Sequence, residues 1–135
     1  MQRIVLDTNC LLASLPATSP FHAIWAAYLY GDLTLCISNE ILSEYAEIIG
    51  RKTNAVVLNA VLNTIIKNEN SFFIDPQYHL HLITSDPDDN KFIDCAFAAQ
   101  ATYIVSNDKH FNILKEIDFP KINVITISDF IKVLT

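Results

Sequence analysis

Glycine is scarce in this sequence, which contains only two glycines in 135 residues. The glycine-rich phosphate loops GxGxxG and GxxxxGK[ST] are both absent, which excludes a Rossmann dinucleotide site and a P-loop. Cysteine is also rare, and no CxxC pair is present for zinc or redox chemistry. Because Cys10, Cys36 and Cys95 each have apolar neighbours, we expect free, buried thiols in a reducing environment.

Long apolar runs are missing as well. No stretch approaches the roughly 20 apolar residues of a membrane span, and the run before Asp7 is too short for a signal peptide. We therefore expect a cytoplasmic protein without a membrane segment. The formal net charge of −6 gives no indication of a basic surface that would bind phosphate groups. This charge does not exclude a nucleic-acid partner, because carboxylates that bind divalent cations can meet phosphate through the metal.

Hydrophobic residues make up 51% of the chain, enough for one continuous core, and we predict one domain over residues 1–135. Short apolar runs of the kind found in strands covered on both faces occur at residues 4–6, 35–37, 72–74, 103–105 and 124–127. Helical patterns cover residues 21–30, 39–49, 53–67, 89–101 and 129–134. This alternation predicts an α/β fold with three layers, α/β/α, around a central parallel sheet.

Two aspartates follow predicted strands. Asp7 comes directly after the run 4–6, and Asp108 follows the run 103–105 after two polar residues. Because ligands of open parallel sheets gather beyond the carboxyl ends of the strands, we expect both carboxylates at the same edge of the sheet.

The helix predicted at residues 39–49 carries three acids. Its apolar stripe is spaced as one buried helix face, and at roughly 100° per residue Glu44 borders that stripe. Glu40 and Glu47 point well away from it and are predicted to be solvated. Glu44 is therefore the acid of this helix that we expect to reach inward.

A polar loop at residues 85–90 leads into the next predicted helix. Asp89 shares a helix face with Phe92 and is predicted on the core-facing side of the first turn. Asp94 falls on the opposite face, and Asp86 and Asp88 lie in the loop, where they are suited to starting a helix.

Four acids are thus predicted to converge: Asp7, Glu44, Asp89 and Asp108. Closely packed carboxylates repel one another and shift each other's pKa values, and divalent cations relieve that repulsion. Oxygen ligands without a Cys/His cluster favour Mg²⁺ or Mn²⁺ over zinc. One or two such ions activate water and stabilise charge on a phosphodiester.

The order and context of these acids resemble those of the PIN domain family, in particular its bacterial toxin components of toxin–antitoxin pairs. Four segments carry the resemblance over nearly the whole chain: IVLDTN at 4–9, SNEILSEY at 38–45, DPDDNKF at 86–92 and YIVSND at 103–108. The resemblance implies a Mg²⁺- or Mn²⁺-dependent ribonuclease that cuts RNA, frequent homodimerisation, and often an antitoxin partner that blocks the site.

The resemblance also assigns roles by position. Asp7, Glu44, Asp89 and Asp108 match the metal-binding acids. Asn9 and Ser106 match polar positions beside the first and last acids, where they would orient water or a carboxylate. Two further acids of the same segment, Asp88 and Asp94, are candidates for substitute ligands or outer positions around the metal.

Two other functions remain open. The first is a catalytically silent PIN-like domain that binds RNA or protein, which a test of metal-dependent cleavage separates from a nuclease. The second is a phosphotransfer receiver-like domain, which expects an acidic pair after the first strand and is poorly matched by Asp7-Thr8-Asn9. His79 and His81 form an HxH without a matching third ligand, so we interpret them as structural or surface residues.

Overall fold

The computed structural model describes residues 2–84 and 86–134, and its centre is a parallel sheet of five strands. The strands are β1 (Gln2–Leu6), β2 (Leu33–Ile37), β3 (Ser71–Phe73), β4 (Tyr103–Val105) and β5 (Val124–Ile125). Their order is β3-β2-β1-β4-β5, and every neighbouring pair is parallel. Each predicted strand is present, and the predicted α/β fold with a central parallel sheet is confirmed.

Six α-helices and two 3₁₀ helices lie in the described part of the chain. The α-helices are α1 (Thr8–Ser14), α2 (His22–Tyr30), α3 (Asn39–Lys52), α4 (Ala55–Lys67), α5 (Asn90–Ala99) and α6 (Ile127–Leu134); the 3₁₀ helices are Pro87–Asp89 and Lys109–Glu116. The five predicted helices correspond to α2 through α6. Helix α1 and the second 3₁₀ helix were not predicted, because seven residues show too little periodicity and 3₁₀ segments lack the 3.6-residue repeat. Ser85, the first residue of the predicted loop, lies outside the described residues.

Two helix starts differ from the prediction because side chains cap them. The Asn54 side chain accepts a hydrogen bond from the third residue beyond it, so α4 begins at Ala55 rather than at residue 53. The Thr126 hydroxyl accepts from the Asp129 N–H at 3.2 Å, so α6 begins at Ile127 rather than at residue 129. The last strand is correspondingly shorter than the predicted run.

The strand order reverses beside β1. From β1 the chain moves outward to β2 and β3, then returns to the other side of β1 to form β4 and β5. This reversal opens a crevice beyond the carboxyl ends of β1 and β4, where ligands of such sheets bind. Leu6 pairs with Val105 in register, and the Asp7 N–H donates to the Val105 carbonyl at 3.1 Å. The residues that follow both strands are therefore brought side by side.

The core fixes α3, which carries Glu44, and α5, which begins directly after Asp89. Helix α5 packs across β1, β2 and β4, and its buried Phe92 meets Phe111 edge to face at 6.3 Å. Helix α3 is held to the end of β1 by the fully buried Tyr45, whose hydroxyl donates to the Leu6 carbonyl at 2.5 Å.

All three cysteines are free and buried, as predicted. Within residues 2–84 and 86–134, no helix has the length and apolar character needed to cross a membrane.

Candidate functional site

Asp7 lies at the centre of the crevice between β1 and β4. Its side chain is almost completely buried, and its Oδ2 accepts a hydrogen bond of 2.7 Å from the Ser106 hydroxyl. The Ser106 oxygen in turn accepts from the Asp108 N–H at 3.0 Å. Ser106 therefore joins the acid after β1 to the backbone of the acid after β4.

Glu44 reaches the same region from α3. It is half-buried, whereas Glu40 and Glu47 on the same helix are exposed, as their helix positions predicted. The Thr8 hydroxyl donates to Glu44 Oε2, and Lys91 Nζ lies 2.8 Å from Glu44 Oε1. Both oxygens of this carboxylate are thus engaged by side chains that neighbour other predicted site residues.

Asp89 meets the exposed ring of His110 at the outer side of the site. His110 Nδ1 lies 3.2 Å from Asp89 Oδ2, 3.3 Å from Asp108 Oδ1 and 3.7 Å from Asp86 Oδ2. One ring nitrogen therefore faces three carboxylates. These contacts raise the pKa of His110, first through its hydrogen bond to Asp89 and then through the charges of the acids.

The pKa shifts show that the acids influence one another. Burial is the main reason that the pKa of Asp7 is raised; the Ser106 hydrogen bond lowers it, and the charges of Asp108 and Glu44 raise it further. Burial likewise raises the pKa of Asp89 to about 6, with contributions in the same direction from several acids, among them Asp108 and Asp7. The four predicted acids therefore share one electrostatic neighbourhood.

The donor set suits a hard divalent cation. Carboxylate oxygens dominate it. Cys10 also lines the cleft beside Asp7, but burial, together with the charge of Asp7, raises the pKa of its thiol to about 12, so the thiol stays protonated. Among the described residues, the group whose ligand atoms all lie within 4.8 Å of one another is Asp86, Asp89 and His110, which contains one of the four predicted acids. Because crowding and burial raise the pKa values of Asp7 and Asp89, a bound cation would stabilise their charged forms.

A cleft of about 280 Å³ opens beside Asp7 and Asp108 and is also lined by Asn9 and Asn107. Asn9 is exposed where it lines this opening. A larger cavity of about 620 Å³ lies against Phe97 and contains none of the four acids. Of the four predicted acids, Asp7 and Asp108 line the smaller cleft, whereas Glu44 and Asp89 are not among its lining residues.

Asp88 and Asp94 lie away from this cleft. Asp88 is exposed. Asp94 was predicted on the helix face opposite the core, but only 7% of it is exposed, because the segment around Leu80 covers that face. Its Oδ1 accepts from the Leu80 N–H at 3.0 Å, and its Oδ2 lies 3.3 Å from His79 Nδ1. Within the described chain, neither carboxylate has a hydrogen bond or ion pair with the four predicted ligands, so their outer roles stay predictions.

Sequence reasoning missed Thr8 and Lys91, which hold the two oxygens of Glu44. A signal for Lys91 was available, because it is the one cation in the acidic segment 86–94. The sequence could not predict that Lys91 pairs with Glu44, because Glu44 lies 47 residues earlier in the chain.

Comparison with known proteins identifies the fold and the family. The sequence pattern of the PIN domain family matches residues 3–110. The structure is similar to the VapBC2 complex of Rickettsia felis bound to a DNA fragment from their promoter, with a TM-score of 0.63, 16% identity, and coverage of 92% of this chain and 98% of that one. It is also similar to the DNA-bound VapBC of Salmonella typhimurium, with a TM-score of 0.61, 21% identity, and coverage of 94% and 99%.

A third similar structure is the RRP44 PIN domain of T. brucei, with a TM-score of 0.55 and 15% identity; the match covers 97% of this chain and 80% of that one. No protein of curated function matches the chain. At these identities the solved structures show the fold, whereas the sequence pattern, which covers most of the chain, shows the family. The chain belongs to the PIN domain family.

Proposed function

We propose that this PIN domain is a divalent-metal-dependent endoribonuclease that hydrolyses RNA phosphodiester bonds. PIN domains are generally nucleases. The observation that supports the proposal is that the charges of neighbouring acids contribute to the raised pKa values of Asp7 and Asp89, although Asp7, Glu44, Asp89 and Asp108 come from four separate segments of the chain. Such a cluster is unfavourable without a cation, which is an expected feature of a metal centre.

In this proposal the four acids hold Mg²⁺ or Mn²⁺, and Ser106 orients Asp7 through its hydrogen bond. When bound, the metal supplies positive charge that activates water and stabilises the phosphodiester's developing charge. Asn9 lines the opening of the cleft, and in this proposal its amide hydrogen-bonds to a water or to the substrate. The exposed His110 neighbours the acids on the outer side and provides a donor toward phosphate.

We also infer that the chain is the toxin of a toxin–antitoxin pair and acts in the cytoplasm. Support comes from its likeness over nearly its full length to the VapBC complexes and to FitAcB of Neisseria gonorrhoeae, the latter with a TM-score of 0.57 and 14% identity. An antitoxin would inhibit by covering the cleft beside Asp7. Co-expression with the product of the adjacent reading frame tests this inference: suppression of RNA cleavage supports it, and unchanged cleavage contradicts it.

A homodimer is the assembly that we propose. Large apolar side chains are exposed on two helices, with Val56 80% and Ile66 56% exposed on α4 and Tyr30 83% exposed at the end of α2. Burial of such side chains against a second copy would remove them from water. Light scattering that gives the mass of a monomer at all concentrations would contradict the dimer.

The decisive experiment measures cleavage of a mixed pool of labelled RNAs with Mg²⁺, with Mn²⁺ and with EDTA. Wild type is compared with Asp7→Asn, Glu44→Gln and the matched control Glu47→Gln, which alters an exposed acid on the same helix. We expect metal-dependent cleavage by wild type and by the control, and none above background by the two site variants.

Equal activity of all four proteins would identify a contaminating nuclease. Metal binding and RNA binding by wild type without any cleavage would overturn the nuclease proposal in favour of the catalytically silent binding domain.

A further inference from the structure

Glu44 differs from the other predicted acids in having a lysine partner. Lys91 Nζ lies 2.8 Å from Glu44 Oε1, and the two side chains are only 16% and 23% exposed. The other oxygen, Oε2, accepts from the Thr8 hydroxyl. Protein donors therefore engage both oxygens of Glu44, and this carboxylate already has a balancing positive charge.

The negative charges of the other predicted acids face different partners. Asp89 and Asp108 face one ring nitrogen of the exposed His110. Asp7 accepts from the neutral hydroxyl of Ser106, and within residues 2–84 and 86–134 it forms no ion pair with a lysine, arginine or histidine. The need for a cation is therefore greatest at Asp7.

We propose that Lys91 is a positioning residue whose ammonium group takes the place of a second cation beside Glu44, so that the centre binds a single divalent ion through Asp7, Asp89 and Asp108. The inference rests on the proposed function and defines the metal content of its site. It narrows the four acids of the proposed function to three ligands, because Glu44 anchors Lys91 instead of binding the ion.

Binding of a divalent ion to Glu44 would require displacement of Lys91. A divalent ion on Glu44 would have to push the Lys91 ammonium aside, which leaves a mostly buried cation without its partner and close to a like charge. Lys91 lies on the first turn of α5, next to the segment that supplies Asp89, so its backbone has little freedom to withdraw. A lysine held in this way supplies one positive charge at a fixed place, independently of the metal concentration.

The test counts Mn²⁺ ions bound per chain, by electron paramagnetic resonance of free Mn²⁺ together with calorimetry, on the full-length protein without RNA. The proteins are wild type, Lys91→Met, Lys91→Arg, Glu44→Gln and Lys67→Met, the last of which removes an exposed lysine at the end of α4. We expect one ion for wild type, for Lys91→Arg and for Lys67→Met, and a second ion for Lys91→Met. Glu44→Gln should retain the ion with less than about a tenfold loss of affinity, the lower end of the effect of an outer group.

Two ions bound to wild type, one of them lost in Glu44→Gln, would overturn the inference and leave the nuclease proposal standing. A single ion in Lys91→Met would overturn it as well. If no Mn²⁺ binds to any protein, both the inference and the metal-dependent function fail. Circular dichroism monitors folding; if Lys91→Met does not fold, the wild-type count and the response of Glu44→Gln still decide the question.

Discussion

Ser106 Oγ lies 2.7 Å from Asp7 Oδ2, so two residues 99 positions apart form the buried hydrogen bond at the centre of the site. The same hydroxyl oxygen accepts from the Asp108 N–H. This single side chain therefore orients one predicted ligand and fixes the backbone of another.

Replacement of Ser106 by alanine should weaken metal binding. Ser106→Ala leaves Asp7 unoriented and without its neutral donor, and the loss of such an outer hydrogen bond typically costs about 10–100-fold in metal affinity. Calorimetric titration with Mn²⁺ measures the effect, and Ser106→Thr, which keeps the hydroxyl, serves as the control. An affinity of Ser106→Ala equal to that of wild type would show that Asp7 does not depend on this bond.

The pH dependence of stability should report Asp89. Burial, aided by neighbouring acids, raises its pKa from the usual 3.8 to about 6, so the folded chain binds this proton more tightly than the unfolded chain. The associated stability is fully present below about pH 4 and is lost as the pH rises through about 6. Asp89→Asn should therefore stabilise the metal-free protein at pH 7.5, by on the order of 2 kcal/mol, and by less than half of that at pH 4.5.

Urea unfolding in EDTA at the two pH values measures this difference. Asp118→Asn, at an exposed position, controls for the general loss of one negative charge. A gain from Asp89→Asn that is the same at both pH values would contradict the raised pKa of Asp89.

The strands and the choice of Glu44 over Glu40 and Glu47 could be predicted from the sequence because both are local properties. Continuous apolar runs mark strands covered on both faces, and helical periodicity alone separates an inward acid from two exposed ones. The position of Asp7 at the edge of the sheet also followed from local order, because the residue after a parallel strand must lie at its carboxyl end.

Asp94 and Lys91 could not be placed in the same way. The burial of Asp94 depends on the segment around Leu80, which folds back over α5 and donates a backbone N–H to it. The ion pair of Lys91 depends on how α3 and α5 cross. Helical periodicity specifies a face of one helix, but it contains no information on which distant segment covers that face.

Removal of metal should destabilise the protein. A ligand that binds only the folded chain stabilises it in proportion to the logarithm of its concentration, by about 2.7 kcal/mol at about 100 times Kd. For a domain of this size that corresponds to a rise in Tm of roughly 5–10 °C with Mn²⁺, reversed by EDTA. Calorimetric scans of Asp7→Asn should show no such rise; a rise equal to that of wild type would locate the metal elsewhere.

Asn90 should contribute to stability by clamping the segment that precedes the acidic loop. Its side chain is buried; Oδ1 accepts from the Ile83 N–H at 2.9 Å, and Nδ2 donates to the Ile83 carbonyl at 2.8 Å. Asn90→Ala removes both bonds and leaves two backbone groups without these partners, which should lower the free energy of unfolding by about 2 kcal/mol. Urea unfolding measures the loss, with Asn112→Ala, at an exposed position, as the control.

Amide hydrogen exchange in Asn90→Ala distinguishes local opening around Ile83 from global unfolding. If the Asn90 side chain orders this segment, the Ile83 amide should exchange faster in Asn90→Ala than the loss of global stability predicts. The reason is that local opening of the segment no longer breaks the two hydrogen bonds to Asn90. Exchange of the Ile83 amide that merely follows global unfolding would show that packing of the buried Ile83 side chain, rather than Asn90, holds the segment against α5.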